Sequence, residues 1–346
     1  MSRSTTVRVV NATDLTMTLT ATKLAGGRMV GQGPSAHLAP NATATFGNVA
    51  SGRFGSANGS VRYASGDDAV TMTWRNPFAG VNSYRLDVDG ESIGCVCDGD
   101  DDERSTTVTF MIIPSREVGV PGFRPSTHGF RFTNSWPDDP LKRIDLKIGT
   151  LPIGKASNGL CGGMCYAVRD YFEARRAIPD QTVAPSDQSA LRRYVIDRLI
   201  DSYDLPVGVA PYATLMSTRY PSDDSDLLAA IAQVPSRAAI LARRTWPLVK
   251  ASIDRGHPCP LGLVMLESDD LHDLSHHHQV LAYAYQLRGT KLTIWVYDPN
   301  SPSSDRVTIS FDTARTDRPL GIAHRVDTAG PLVCAFVPRY VATTPP

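Results

Sequence analysis

Residues 276–300 read HHHQVLAYAYQLRGTKLTIWVYDPN. Two alternating runs, 278–286 and 291–298, flank the short polar stretch LRGTK, the pattern of two antiparallel strands joined by a tight turn. His278 falls on one face with Val280, Ala282 and Ala284, and Asp298 on one face with Leu292, Ile294 and Val296. With the turn centred near Arg288 or Gly289, His278 and Asp298 become cross-strand neighbours, about 5 Å apart at Cβ if directly opposed. Such a hairpin holds an imidazole against a carboxylate. The carboxylate fixes the ring tautomer and leaves the other nitrogen free to serve a nucleophile.

A nucleophile of the right kind stands upstream, in SNGLCGGMCYAVRDYF at 157–172. Met164, Val168, Tyr171 and Phe172 form one stripe at helical spacing, so Cys161 opens a helix and Cys165 lies one turn inside it. A thiol at a helix N-terminus beside an imidazolium is favoured as thiolate by the dipole and by the charge. Cys161, His278 and Asp298 then make an acyl-transfer set of nucleophile, base and orienter. The glycines after Cys161 would clear space for a substrate carbonyl. Backbone N–H groups at the helix start, with Asn158 as a second donor, would hold the oxyanion. Taken singly, each residue has a plainer reading: a helical cysteine is usually a small packed hydrophobe, and Asp-Pro a turn opener.

Around this pair the chain of 346 residues is long enough for two cores. Thirty-five basic residues balance thirty-five acidic ones, which argues against a nucleic-acid partner. No signal core or membrane-spanning run stands out, so the cytoplasm is the default location, with non-classical release leaving no mark. Six cysteines are too few for a disulfide scaffold. Up to about residue 115 the runs alternate with period two, as in LTMTLTATKL and AVTMTW, and no helical period appears. That predicts an all-β sandwich over 1–115, a Pro-rich linker over 116–140, and an α+β domain over 141–346. Helices are expected from Cys161, from a cap at Ser186 or Asp187, and within 223–233 and 236–255. Cys259 and Cys334 are expected in the core. CVCDGDDDE, with Cys95 and Cys97, reads as an acidic loop, with a vicinal disulfide-like clip or a calcium site as its rivals. His272 and His276 have the spacing of a metal pair, and His276 and His277 are expected in solvent.

NGLCGGMCYAVRDYF, then HHHQVLAYAY, then VYDPN together resemble a papain-like cysteine peptidase domain, most closely the bacterial branches, over about residues 120–346. The resemblance implies a peptidase or amidase working through a thioester, with no cofactor and a peptide or amide substrate. It sets Cys161 as nucleophile, His278 as base and Asp298 as orienter. Lys155 stands where such enzymes carry an oxyanion glutamine, which leaves Asn158 as the substitute. The family's aromatic after the nucleophile is missing at Gly162 but present as Tyr166 after Cys165, so Cys165 stays open as the alternative nucleophile.

SGRFGSANGSVRYAS and VTMTWRNPFAGVNSYRLDV are similar to aegerolysins, small β-sandwich proteins that bind membrane lipids. The similarity is strongest at Trp74, Asn76, Pro77, Gly80 and Asn82. It implies a sandwich that targets the hydrolase to lipid or another surface, with Trp74 either at the lipid interface or in the core. Two rivals remain at this stage. One is a lipid-binding or pore-forming protein with an idle papain-like scaffold, and the other an acyltransferase using the same triad.

Overall fold

The computed structural model describes residues 2–99, 104–136, 160–186, 188–203, 210–226, 234–325 and 332–346, with the backbone of 144–146 and 149–151. Asn158, Lys155, Asp187, Asp100 to Glu103 and most of the expected helix at 223–233 lie outside the described residues.

The alternating runs form ten strands: β1 (Ser4–Asn11), β2 (Met17–Gly26), β3 (Arg28–Val30), β4 (His37–Leu38), β5 (Thr43–Val49), β6 (Ala57–Ser65), β7 (Asp68–Asn76), β8 (Ser83–Asp89), β9 (Ile93–Gly99) and β10 (Ser105–Pro114). They pair as two five-stranded sheets, β3-β5-β1-β10-β9 and β4-β2-β6-β7-β8. Residues of both inner faces, Val7, Val9 and Phe110 on one sheet and Tyr63, Met72 and Trp74 on the other, bury a shared core. The period-two pattern therefore gives the sandwich it implies. CVCDG is not an acidic loop but strand β9, because Cys95 and Cys97 point into that core and are buried.

Trp74 is fully buried, which corrects its assignment to a lipid interface. Its indole N–H donates to Asn48 Oδ1 at 3.0 Å and its ring meets Phe46 edge-on at 5.8 Å. A Cβ at Gly59 would come within 2.6 Å of the ring, so the glycine in NGS makes room for it. Its polar tip is satisfied inside the sandwich, so nothing draws it to the surface.

The second body is an antiparallel sheet flanked by helices, the α+β order read from the sequence. Its strands are β11 (Val118–Gly119), β14 (Cys259–Val264), β15 (His278–Arg288), β16 (Lys291–Tyr297), β17 (Thr308–Asp312), β18 (Ala323–Arg325) and β19 (Cys334–Phe336); a separate pair is β12 (Ile144–Leu146) with β13 (Gly149–Leu151). The order is β18-β17-β16-β15-β14-β19, with β11 also on β15. The helices are α1 (Pro125–His128), α2 (Cys161–Glu173), α3 (Ala190–Ser202), α4 (Ala210–Met216), α5 (Arg237–Ala239) and α6 (Trp246–Asp254), the last two joined by the π-helical Ile240–Thr245. α3 begins later than expected. Its cap is Ser189, whose hydroxyl accepts the Leu191 N–H at 3.2 Å, rather than Ser186.

The expected linker is, from Val118 to Trp136, part of this body. Val118 and Gly119 add to β15, and Phe123, Phe130, Phe132 and Trp136 are buried in the helix–sheet core. Prolines and glycines mark an irregular path here, while the aromatics between them hold it down. The two bodies are also joined directly. Gly289 N–H donates to Ile93 O at 2.9 Å and Cys95 N–H to Gly289 O at 3.4 Å, so β9 docks on the β15–β16 turn.

Candidate functional site

β15 and β16 form the hairpin expected from the sequence, turning at Gly289, whose φ of +58° suits a residue without Cβ. Arg288 pairs with Lys291, a register that, continued unbroken, would set Asp298 opposite Leu281, on the face of Gln279. Between Ala282 and Ala284 the register shifts by one, so Ala282 opposes Val296 and Leu281 opposes Tyr297. This bulge at Tyr283 returns Asp298 to the face of Val280 and His278. The carbonyl of Tyr283 accepts the N–H of Val120, from the segment expected as linker, at 2.8 Å.

His278 Nε2 lies 2.8 Å from Asp298 Oδ1, and both side chains are buried. The same Oδ1 accepts the Asn300 N–H at 2.8 Å, the turn that Asp-Pro-Asn encodes. With Nε2 engaged, Nδ1 is the ring nitrogen left to serve a nucleophile. Burial disfavours the imidazolium, but the Cys161 charge and hydrogen bond, with those of Asp298, outweigh it and push His278 up to about 10. Burial likewise works against the Asp298 carboxylate, and the hydrogen bond and charge of His278, the Asn300 N–H and His324 hold it below the usual range.

Cys161 is the first residue of α2 and is partly exposed. Leu160, at the N-cap, makes no side-chain capping hydrogen bond to the first turn. The glycines after it do not open space for a substrate as expected; both are buried contacts. A Cβ at Gly162 would meet Ser202 Oγ at 2.4 Å and Gln279 Nε2 at 2.9 Å, and one at Gly163 the Val195 carbonyl at 2.0 Å. The Gly-Gly pair lets α2 sit against α3 and the start of β15, which is what brings Cys161 to His278.

Cys165 is fully buried, its thiol donating to Gln279 O at 3.4 Å. Burial, then the Cys161 and Asp298 charges, push that thiol well above its ordinary value. It is a packed thiol, and both cysteines are free. Cys259 and Cys334 are buried, as expected. His272 and His276 sit on a short 3-10 turn, paired with Asp270 at 2.8 Å and Asp273 at 3.2 Å, and no metal-binding cluster occurs among the described residues. His277 is not solvated as expected but half-buried. Its ring stacks on Tyr212 at 5.3 Å and its Nδ1 accepts the Met265 N–H at 3.3 Å.

Sequence reasoning missed two residues here. Asn134 bridges the helix entrance and the Asp298 turn. Its Oδ1 accepts the Leu160 N–H at 2.6 Å, its Nδ2 donates to Asn300 Oδ1 at 3.1 Å, and its N–H donates to Pro299 O at 3.0 Å. His324, on β18, is buried with Nε2 3.6 Å from Asp298 Oδ2. Neither has a local signature: each is a lone polar residue in a short, weakly patterned segment, and its position depends on a contact distant in sequence.

No family model matches the chain, and no curated protein does. Among solved structures, the crystal structure of the lipid binding protein Nakanori matches 33% of this chain and 72% of its own, at 14% identity and a TM-score of 0.29. So slight a likeness carries no argument.

Proposed function

We propose that the protein is a thiol-dependent hydrolase of the papain-like kind, a peptidase or amidase, whose second body carries a Cys161–His278–Asp298 triad. The observation that supports it is a single imidazole bonded through Nε2 to a buried carboxylate and favoured in its charged form by the helix-terminal Cys161. In this reading the Cys161 thiolate attacks the substrate carbonyl carbon. The first-turn N–H groups of α2, with Asn158 in the donor role read from the sequence, stabilise the resulting oxyanion. His278 gives its proton to the departing amine, leaving a thioester on Cys161. Water then loses a proton to His278 and attacks the thioester, releasing the acid and restoring the thiol. Asp298 holds the ring throughout.

The test is alkylation with iodoacetamide at pH 6, mapped by mass spectrometry. Cys161 should be labelled selectively, Cys161→Ser should abolish labelling and turnover of a peptide or amide library, and Cys165→Ala should keep both. Labelling of neither cysteine would sink the thiol mechanism, and labelling that follows Cys165 would move the nucleophile.

The sandwich is proposed as the targeting part, on a different observation from the one the sequence suggested. Phe54 and Phe78 are 73% and 49% exposed and meet edge-on at 5.1 Å. Arg53, next to Phe54 in the chain, and Arg28 line an open surface depression. Paired exposed rings beside cations suit a lipid surface.

A further inference from the structure

The hydrogen bonds of Asp298 are uneven. Oδ1 takes two of them, from His278 and from the Asn300 N–H, whereas the atom nearest Oδ2 in ion-pairing range is His324 Nε2. Among the described residues, Oδ2 receives no hydrogen bond of its own. His324 is itself buried, and neither ring nitrogen has a hydrogen-bond partner among the described residues. At 3.6 Å the two fall short of a hydrogen bond, and a movement of about 0.6 Å would make one. Catalytic hydrogen bonds commonly tighten in this way when substrate closes a site.

We infer that His324 is a positioning residue that clamps Asp298 through Oδ2, so that Oδ1 stays aimed at His278. The inference rests on the triad reading above and adds to it a second imidazole on the orienting carboxylate. The neutral ring is the working form: it donates one N–H without adding charge. Among the described residues, the charged groups acting on it are Asp298 and His278. Burial, with the His278 charge, lowers its affinity for a proton and outweighs the pull of Asp298. A proton on His324 would neutralise part of the Asp298 field and weaken its hold on the His278 imidazolium.

The experiment reads the His278 ring by NMR titration in a Cys161→Ala background, which removes the thiol from the measurement. His324→Ala should lower the His278 pKa by about one unit, since removing the ring that stands against Oδ2 lets Asp298 turn away from His278. His324→Gln should restore it, because an amide N–H reaches the same oxygen without titrating. An unchanged His278 pKa in His324→Ala, or a glutamine variant that behaves like alanine while its circular dichroism stays native, overturns the clamp. Iodoacetamide labelling of the thiol-containing protein at pH 6 runs alongside. Its absence would sink the hydrolase reading, while the ring titration still decides the clamp.

Discussion

His278 Nε2 and Asp298 Oδ1 are 2.8 Å apart in a buried hairpin end, on two strands whose register is corrected by one residue to make them meet. The pair is therefore fixed by backbone geometry before any substrate arrives.

Removing the base should cost more than removing its neighbours. His278→Ala should reduce turnover by about 10²–10⁴-fold or more. His276→Ala, at an exposed residue, should leave most of it. Asp298→Asn should weaken turnover without abolishing it, because a neutral acceptor still holds the ring. Steady-state kinetics on one substrate checks all three, and equal losses at His276 and His278 would contradict the assignment.

Two neighbouring histidines should pull stability in opposite directions with pH. His278 is pushed up to about 10 from 6.5, so its contribution is complete below pH 6.5 and lost as pH rises through about 10. His277 is pulled down to about 4, chiefly by burial and then by the His276 charge, against Asp273. Its contribution is present above pH 6.5 and lost as pH falls through about 4. His277→Phe keeps a ring on Tyr212 and removes the titration. Thermal melts should show a smaller fall in Tm between pH 6.5 and 4 in that variant than in the parent.

Lipid binding, if it belongs to the sandwich, should depend on the exposed rings. Phe54→Ser with Phe78→Ser should abolish co-sedimentation of the full chain with vesicles of phosphatidylcholine and phosphatidylserine. Trp74→Phe should preserve binding while lowering stability by about 1 kcal/mol or more, since Asn48 Oδ1 loses its donor. Vesicle binding that survives loss of both phenylalanines would move the contact elsewhere.

The seam between the bodies is tight enough to test with one side chain. A Cβ at Gly94 would stand 2.7 Å from Leu287 Cγ and 2.8 Å from the Leu287 carbonyl. Gly94→Val should destabilise the protein by about 1–3 kcal/mol, measured by chemical denaturation. Fragment 1–115 bears on the same seam. Val96 and Ile113, which join the core of the second body, would be exposed in it, so it should melt at a lower temperature than the sandwich does in the full chain.

The sequence by itself determined what local periodicity can carry. Strict alternation to residue 115 specified strands with one buried face, the stripe at Met164, Val168 and Tyr171 specified α2, and LRGTK between two alternating runs specified the hairpin. These signals are read within a dozen residues, because neighbours along a strand or helix share a face by geometry alone. Tertiary structure decided the rest. The bulge at Tyr283 turned Asp298 toward His278, and the hairpin's alternation does not reveal that shift. Packing between the sheets consumed Trp74, aromatic burial made 118–136 part of the second body, and the approach of α3 set the use of Gly162 and Gly163. His324 and Asn134 reach the site through contacts 26 and 166 residues away for Asn134, and through a partner on another strand for His324. A side chain's partner at that separation is chosen by how whole elements stack, and no local pattern along the chain records it.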